Sequence, residues 1–293
     1  MTVGGAQAFA DKLIRLQDGR AVKLRVLGAE DGVPVMALHG TPGSRLKFDG
    51  AHEAARTCGV RIIAVDRWGY GGTDAPVRPA LANYGDDLAE VADALGIERF
   101  GLIGISGGGP FAAMAAGRLG ARVTAVALVG PVGPLAGCPL PGTSLFHHFS
   151  FRVVPRLPGA SRLLFAGFRK AIHLVPELAI ATALARAPMG DRVIMADPVQ
   201  RQGLIVTFKA GLVMSAIGPA IDMALFSTRW SPDPSTVAAT RVWIGSADGN
   251  ISLPAARHLG ALMNADVIEV PDAGHFWIAQ HWSDVLGWLA ERG

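Results

Sequence analysis

Residues 104–108 read Gly-Ile-Ser-Gly-Gly, directly after an apolar run at residues 100–103 and directly before a helix-like stretch at residues 110–119. A serine on so sharp a strand-to-helix turn must take a strained backbone conformation. Glycines on either side let neighbouring backbone pass without a Cβ clash. The turn lifts the hydroxyl out of the sheet and leaves a helix N-terminus beneath it, where free N–H groups can hold a developing negative charge. The five-residue pattern alone is common by chance. Its place between a strand and a helix gives it weight, provided the rest of the chain supplies the sheet and the partners.

The remaining segments do supply a sheet. Residues 12–17 and 20–27 alternate apolar and polar side chains around Asp18-Gly19, which predicts a β-hairpin with a two-residue turn. Apolar runs at 33–38, 60–65, 100–105 and 123–129 predict buried strands. Residues 49–58 and 84–95 predict helices stopped by Gly59 and Gly96. This alternation implies right-handed crossovers, a mostly parallel sheet and helices on both faces.

From residue 134 to residue 234 the pattern changes. No strand run occurs there, and helical stretches are expected at 161–173, 176–186 and 198–214. Strand-and-helix alternation resumes with a strand at 241–245, a helix at 254–263, a strand at 266–270 and a helix at 283–291. The expected organisation is therefore a core of residues 1–133 and 235–293, with residues 134–234 inserted as a helical cap over the carboxyl edge of the sheet.

A chain of 293 residues can bury one large core with such an insertion. Half the residues are hydrophobic and 17% are charged, yet no uninterrupted apolar run reaches the 18 or so residues of a spanning helix. The nearest candidate, residues 210–226, is broken by Pro219 and Asp222. The first dozen residues lack the pattern of a secretory signal. Cys58 and Cys138 suggest neither a disulfide framework nor a metal site. A cytoplasmic location is expected. The formal charge is only +3 and the arginines are mostly isolated, so no stripe marks a nucleic-acid partner. The expected partner is a small-molecule substrate. A homo-oligomer is neither required nor excluded.

A serine hydroxyl needs a base, and the base needs an orienting carboxylate. His275, in Asp272-Ala273-Gly274-His275-Phe276, follows the last apolar strand; Asp248, in Gly245-Ser246-Ala247-Asp248, follows the strand before it. Both positions fall at carboxyl ends of parallel strands, where open α/β sheets place their ligands. His147, His148, His173, His258 and His281 have no matching context. An oxyanion needs two backbone donors. One is the N–H of Gly107, after the serine. The other is expected from the turn His39-Gly40-Thr41-Pro42-Gly43-Ser44, at Thr41, because Pro42 has no N–H. No cofactor or metal is needed for this chemistry.

Taken in order, HGTPGS, DRWGYGGTD, GISGG, GSAD and AGHF resemble the motifs of the α/β-hydrolase superfamily, over nearly the whole chain. The resemblance implies the α/β-hydrolase fold and a Ser106–His275–Asp248 triad cleaving a carboxylic ester. Trp68 stands where the family's DRPGYG loop usually has proline, and that loop implies a structural role. Serine at position 106 in place of aspartate argues against dehalogenases and typical epoxide hydrolases of this fold. HGTPGS also resembles the HGGPG turn of proline iminopeptidases, but the acids such an enzyme would use on a substrate amine, here Glu177, Asp191, Asp197 and Asp222, are outnumbered by arginines. A C–C bond hydrolase and a small-ligand receptor that retains the triad are the other readings.

Overall fold

A computed structural model describes residues 9–134, 153–157, 159–235 and 239–293. Cys138, His147, His148, the start of the expected cap and most of the amino-terminal segment lie outside the described residues. Eight strands form one sheet: β1 (Asp11–Arg15), β2 (Ala21–Gly28), β3 (Val33–Leu38), β4 (Val60–Val65), β5 (Phe100–Ile105), β6 (Val123–Val129), β7 (Thr240–Gly245) and β8 (Asp266–Val270). Their order is β1-β2-β4-β3-β5-β6-β7-β8. The β1–β2 and β2–β4 pairs are antiparallel and every other pair is parallel. Every residue of β5 and β6 is buried, as expected of central strands covered on both faces.

The helices α1 (His52–Thr57) and α10 (Trp282–Ala290) pack on one face, with Phe48, Val285 and Leu289 against Val35, Ile62 and Ile103. On the other face lie α2 (Tyr84–Ala94), α3 (Gly109–Leu119) and α9 (Leu253–Leu262), with Leu88, Phe111 and Leu259 against Met36, Ile63 and Leu102. Adjacent residues of each strand thus serve opposite layers, which is the two-residue period of a strand expressed as two cores.

Two local expectations need correction. The β1–β2 loop has three residues, because Leu16 N–H pairs with Arg20 O at 2.9 Å, and Gly19 takes the left-handed position at φ 87°. A three-residue turn closed by a left-handed glycine keeps the strand twist, in place of the expected two-residue Asp-Gly turn. The helix expected at 49–58 starts instead as a 3-10 turn over Arg45–Ala51, capped by Ser44, before α1.

Between β6 and β7 the chain forms α4 (Ala160–Leu174), α5 (Pro176–Leu184), α6 (Met189–Ala196), α7 (Pro198–Gly211) and α8 (Ile217–Ser227). Of these, α6 and α8 were not anticipated. Pro219 lies in the first turn of α8, where its missing N–H has no intrahelical partner to lose, so a residue that reads as a breaker is tolerated. The inserted helices share a small apolar cluster around Ile172, Ile180, Ile194, Leu204 and Leu212. Their polar contacts with the core fall on loops after parallel strands: Gly71 N–H donates to Gly211 O at 3.1 Å, and α6 reaches the loop after β8. Helix α8 also packs Leu225 and Phe226 into the apolar layer around Phe111 of α3. No helix of the described residues is long and apolar enough to cross a membrane.

Candidate active site

Ser106 occupies the left-handed region at φ 52°, at the end of β5 and the start of α3. That strain is tolerated because the elbow is tightly packed. A Cβ on Gly104 would lie 2.7 Å from Gly108 O, and one on Gly108 would lie 2.2 Å from Leu38 O. The two outer glycines of the motif are therefore needed for close approach of backbone, not for unusual dihedral angles. Ser106 O accepts from Val132 N–H at 3.0 Å, which ties the elbow to the loop after β6.

His275 Nδ1 donates to Asp248 Oδ2 at 2.7 Å. Asp248 Oδ1 accepts from the N–H groups of Asn250 and Ile251 at 2.8 and 2.9 Å, so the carboxylate is fixed at both oxygens. The Asp-Gly-Asn sequence that reads as a turn is also what orients the acid. Gly130 passes beside the pair; a Cβ there would lie 3.3 Å from both Asp248 Oδ2 and His275 Nδ1. The structure thus joins His275 to Asp248 directly, while no hydrogen bond links Ser106 Oγ to either.

Burial pushes the His275 imidazole down, but Asp248 and, behind it, Asp191 push it up, with Lys47 opposing them; the net direction is above the ordinary histidine value. Lys47 itself is held down to about 8 by desolvation. Its ammonium has no ion-pair or hydrogen-bond partner among the described residues.

The Thr41 turn lies against the elbow. The position a Gly107 Cβ would take is 3.1 Å from Thr41 N, so the two expected donors are neighbours. Beneath the turn is a buried polar network that the sequence did not announce. Arg67, with no exposed surface, donates from Nη1 and Nη2 to the two oxygens of Asp222 at 2.6 and 2.8 Å. The same guanidinium donates to His39 O at 2.9 Å and to Gly40 O and Thr41 Oγ1 at 3.0 Å. Asp222 also accepts from Tyr70 OH at 2.6 Å and Thr41 Oγ1 at 2.5 Å. His39 Nδ1 donates to Gly40 O at 2.8 Å and Nε2 accepts from Arg67 N–H at 3.1 Å, which fixes a neutral tautomer. Burial and Arg67 hold His39 well below the usual histidine range, so it is a support and not a base. Trp68 is also buried and donates from Nε1 to Asp87 at 2.7 Å, which gives the large ring at the usual proline position a polar anchor.

A second unanticipated residue is Asp191, 2% exposed, on α6. Its Oδ2 accepts from His275 N–H at 2.9 Å and its Oδ1 from Phe276 N–H at 2.8 Å. A cavity of about 400 Å³ lies between Pro79, Ser161, Arg162, Ile217 and Ile221, and none of Ser106, Asp248 and His275 lines it. Among the described residues no His, Cys, Asp or Glu cluster is placed to hold a metal ion.

The profile of the alpha/beta hydrolase fold matches residues 33–281. A non-heme chloroperoxidase of Streptomyces lividans is 33% identical over 124 residues, which cover 42% of this chain and 45% of that protein. The match therefore takes in less than half of that relative's length. An alpha/beta hydrolase fold protein from Nakamurella multipartita superposes with a TM-score of 0.68 at 25% identity, covering 96% of this chain and 98% of its own. An esterase from Rhodococcus sp. ECU1013 superposes with a TM-score of 0.66 at 20% identity, covering 98% and 100%, a likeness of fold. The family match spans the elbow, the Asp248 loop and the His275 loop, and the sheet order agrees with it: the chain belongs to the alpha/beta hydrolase family.

Proposed function

We propose that the protein is a serine hydrolase acting on small, apolar carboxylic esters. The observation that carries this reading is the His275–Asp248 pair, bonded at 2.7 Å, at the same sheet edge as a serine held at φ 52°. In this reading Ser106 Oγ attacks the acyl carbonyl and His275 Nε2 takes its proton. Asp248 keeps Nδ1 protonated and stabilises the imidazolium. The N–H groups of Thr41 and Gly107 hold the tetrahedral oxyanion. His275 then protonates the leaving alkoxide, and activates the water that releases the acid. Residues 134–234 act as the cap that shapes the acyl pocket.

The acids of the inserted helices favour an ester over a free amino terminus as substrate. Glu177 pairs with Arg201 at 2.7 Å, and Asp197 accepts from Val199 N–H at 2.8 Å. Asp191 and Asp222 are spent on the His275 loop and on Arg67. Each of the four already has a partner, and the two buried ones are fully engaged, which weighs against the grip on a substrate amine that a proline iminopeptidase would require.

The test is labelling with a fluorophosphonate followed by a p-nitrophenyl ester series from acetate to octanoate. The expected results are mass added at Ser106 and kcat/KM rising up to about fourfold per methylene until the pocket is full, from ~0.8 kcal/mol per buried CH₂. No label at Ser106 would overturn the mechanism. A flat or falling series from acetate onward would overturn the apolar acyl pocket alone.

A further inference from the structure

The inserted helices bury two carboxylates on the core, and each lands on a different half of the proposed machinery. Asp191 on α6 spans two consecutive backbone N–H groups, those of His275 and Phe276. Two donors on adjacent residues, both bonded to one carboxylate, fix the direction in which the His275 side chain leaves the backbone. Asp222 on α8 grips Arg67 through both oxygens and accepts hydrogen bonds from the hydroxyls of Tyr70 and Thr41. The Thr41 hydroxyl is thereby tied down one bond network away from the N–H that faces Gly107. Neither carboxylate serves the packing of its own helices: every hydrogen bond given to them comes from the core.

A cover built to swing away would sit on the core through apolar or exposed contacts. Lifting α8 would strand the fully buried Arg67 guanidinium, and lifting α6 would strand two backbone donors. Both losses are costly in a low-dielectric interior.

We propose that α6 and α8 are a fixed half of the active site, in which Asp191 is the positioning residue for His275 and Asp222 is the positioning residue for the Thr41 turn. The proposal rests on the serine-hydrolase reading for its catalytic meaning, but the two placements stand on hydrogen bonds alone. Three charged groups bear on His275: Asp248 from the loop after β7, Asp191 from α6 and Lys47 from the turn Arg45–Ala51. Asp191 contributes negative charge, which favours the imidazolium. Its removal must therefore lower the pH at which His275 titrates.

The experiment begins without turnover. Histidine-labelled wild-type protein and Asp191→Asn are titrated by NMR, with His275 assigned through His275→Gln. The expected result is a fall in the His275 midpoint of about half a pH unit or more in Asp191→Asn, consistent with loss of a nearby opposite charge. An unmoved midpoint in a folded variant overturns the Asp191 assignment. For Asp222, the gentler probe is Thr41→Val, which removes one hydroxyl and leaves the Arg67–Asp222 pair intact. Amide exchange over residues 39–44 should quicken about tenfold or more in Thr41→Val, as expected when a local tie is lost, and return in Thr41→Ser. Wild-type exchange in Thr41→Val overturns the Asp222 assignment. On an ester substrate the same variant should lose about tenfold in kcat with KM within about twofold, the mark of a group that matters chiefly in the transition state. Wild-type kcat in Thr41→Val also overturns the assignment. If wild-type Ser106 takes no phosphonate label, the hydrolase reading fails while the titration and exchange readouts still judge the two carboxylates.

Discussion

The sheet and the inserted helices hold themselves in place by different means. In the sheet, β5 and β6 are buried from end to end and two apolar layers close over them. Among the described residues, the large apolar side chains left exposed fall, all but Leu13, Val77 and Ile268, between Val153 and Met214, in the inserted segment. That segment has a small apolar cluster of its own, and it meets the core through a few buried polar bonds and through Leu225 and Phe226 of α8, which join the apolar layer around Phe111. Apolar burial is non-directional, so it specifies a core tolerant of small shifts. Buried hydrogen bonds are directional, so a few of them fix orientation where a thin core cannot. The proposed chemistry sits on the seam between the two regimes: Ser106, Asp248 and His275 come from the sheet, and the bonds that orient the His275 loop and the Thr41 turn come from the helices.

The largest expected effect tests the sheet side alone. Ser106→Ala should lose on the order of 10⁶-fold in ester kcat, as nucleophile removal does elsewhere, while melting near the wild-type temperature. Asp248→Asn should lose up to about 10⁴-fold by favouring the wrong imidazole tautomer. Steady-state kinetics with matched melting curves check both. Ester turnover by Ser106→Ala near the wild-type rate would move the chemistry away from the elbow.

The next effect breaks the comparison if it fails. Asp222→Ala leaves Arg67 buried without its partner and should cost about 3–5 kcal/mol. Ile63→Ala, at a fully buried position on β4, should cost about 2–5 kcal/mol through a lost side chain and a residual cavity. Urea unfolding of the two variants measures both. Equal costs from one polar and one apolar truncation would show that the seam is as decisive as the core. A negligible cost for Asp222→Ala would mean that α8 is seated by apolar contact, through Leu225 and Phe226 on the core, and not by its carboxylate.

The two regions also differ in how far they can be read from sequence. The inner strands β3, β4, β5 and β6 are largely apolar runs, and the pattern is local. Ser106, Asp248 and His275 are legible for the same reason, since each lies just past such a run. Asp191 and Asp222 are not. Asp222 meets Arg67 across 155 residues and Asp191 meets His275 across 84, and no local pattern encodes such pairs. Their helices, α6 and α8, are the two that periodicity missed: α6 is only eight residues long and α8 carries a proline in its first turn. The one available signal was Asp222 itself, a single acid inside an apolar run, which must find a partner wherever it is buried. Arg67 offered no signal beyond its place in a loop already read as structural.

A smaller effect lies in pH. A general base must be neutral, and a raised pKa keeps more of it protonated at a given pH. Because Asp248 and Asp191 together outweigh burial at His275, the acid limb of kcat/KM should have its midpoint above the ordinary value of about 6.5. Activity is then lost as pH falls through that midpoint and is full above it. A pH profile on a neutral ester measures it. A midpoint at or below the ordinary value would mean that burial wins at the imidazole and that the helical side adds little to its electrostatics.

The smallest expected effect comes from the surface of the inserted segment. Leu163 is 77% exposed, Val199 75% and Met214 73%. A side chain so exposed buries little area, so Leu163→Ser and Val199→Ser should each change unfolding free energy by no more than about 0.5 kcal/mol. In the core the same truncation removes a buried side chain and cannot be neutral. The contrast is measured by urea unfolding of Leu163→Ser beside Leu102→Ala, a fully buried position on β5. If Leu163→Ser costs as much as Leu102→Ala, that part of α4 is covered in solution, and the inserted helices are held by apolar contact that one chain alone does not supply. If it costs nothing, the helices rest on the core as their geometry implies, through Asp191, Asp222, the apolar end of α8 at Leu225 and Phe226, and a thin apolar cluster of their own.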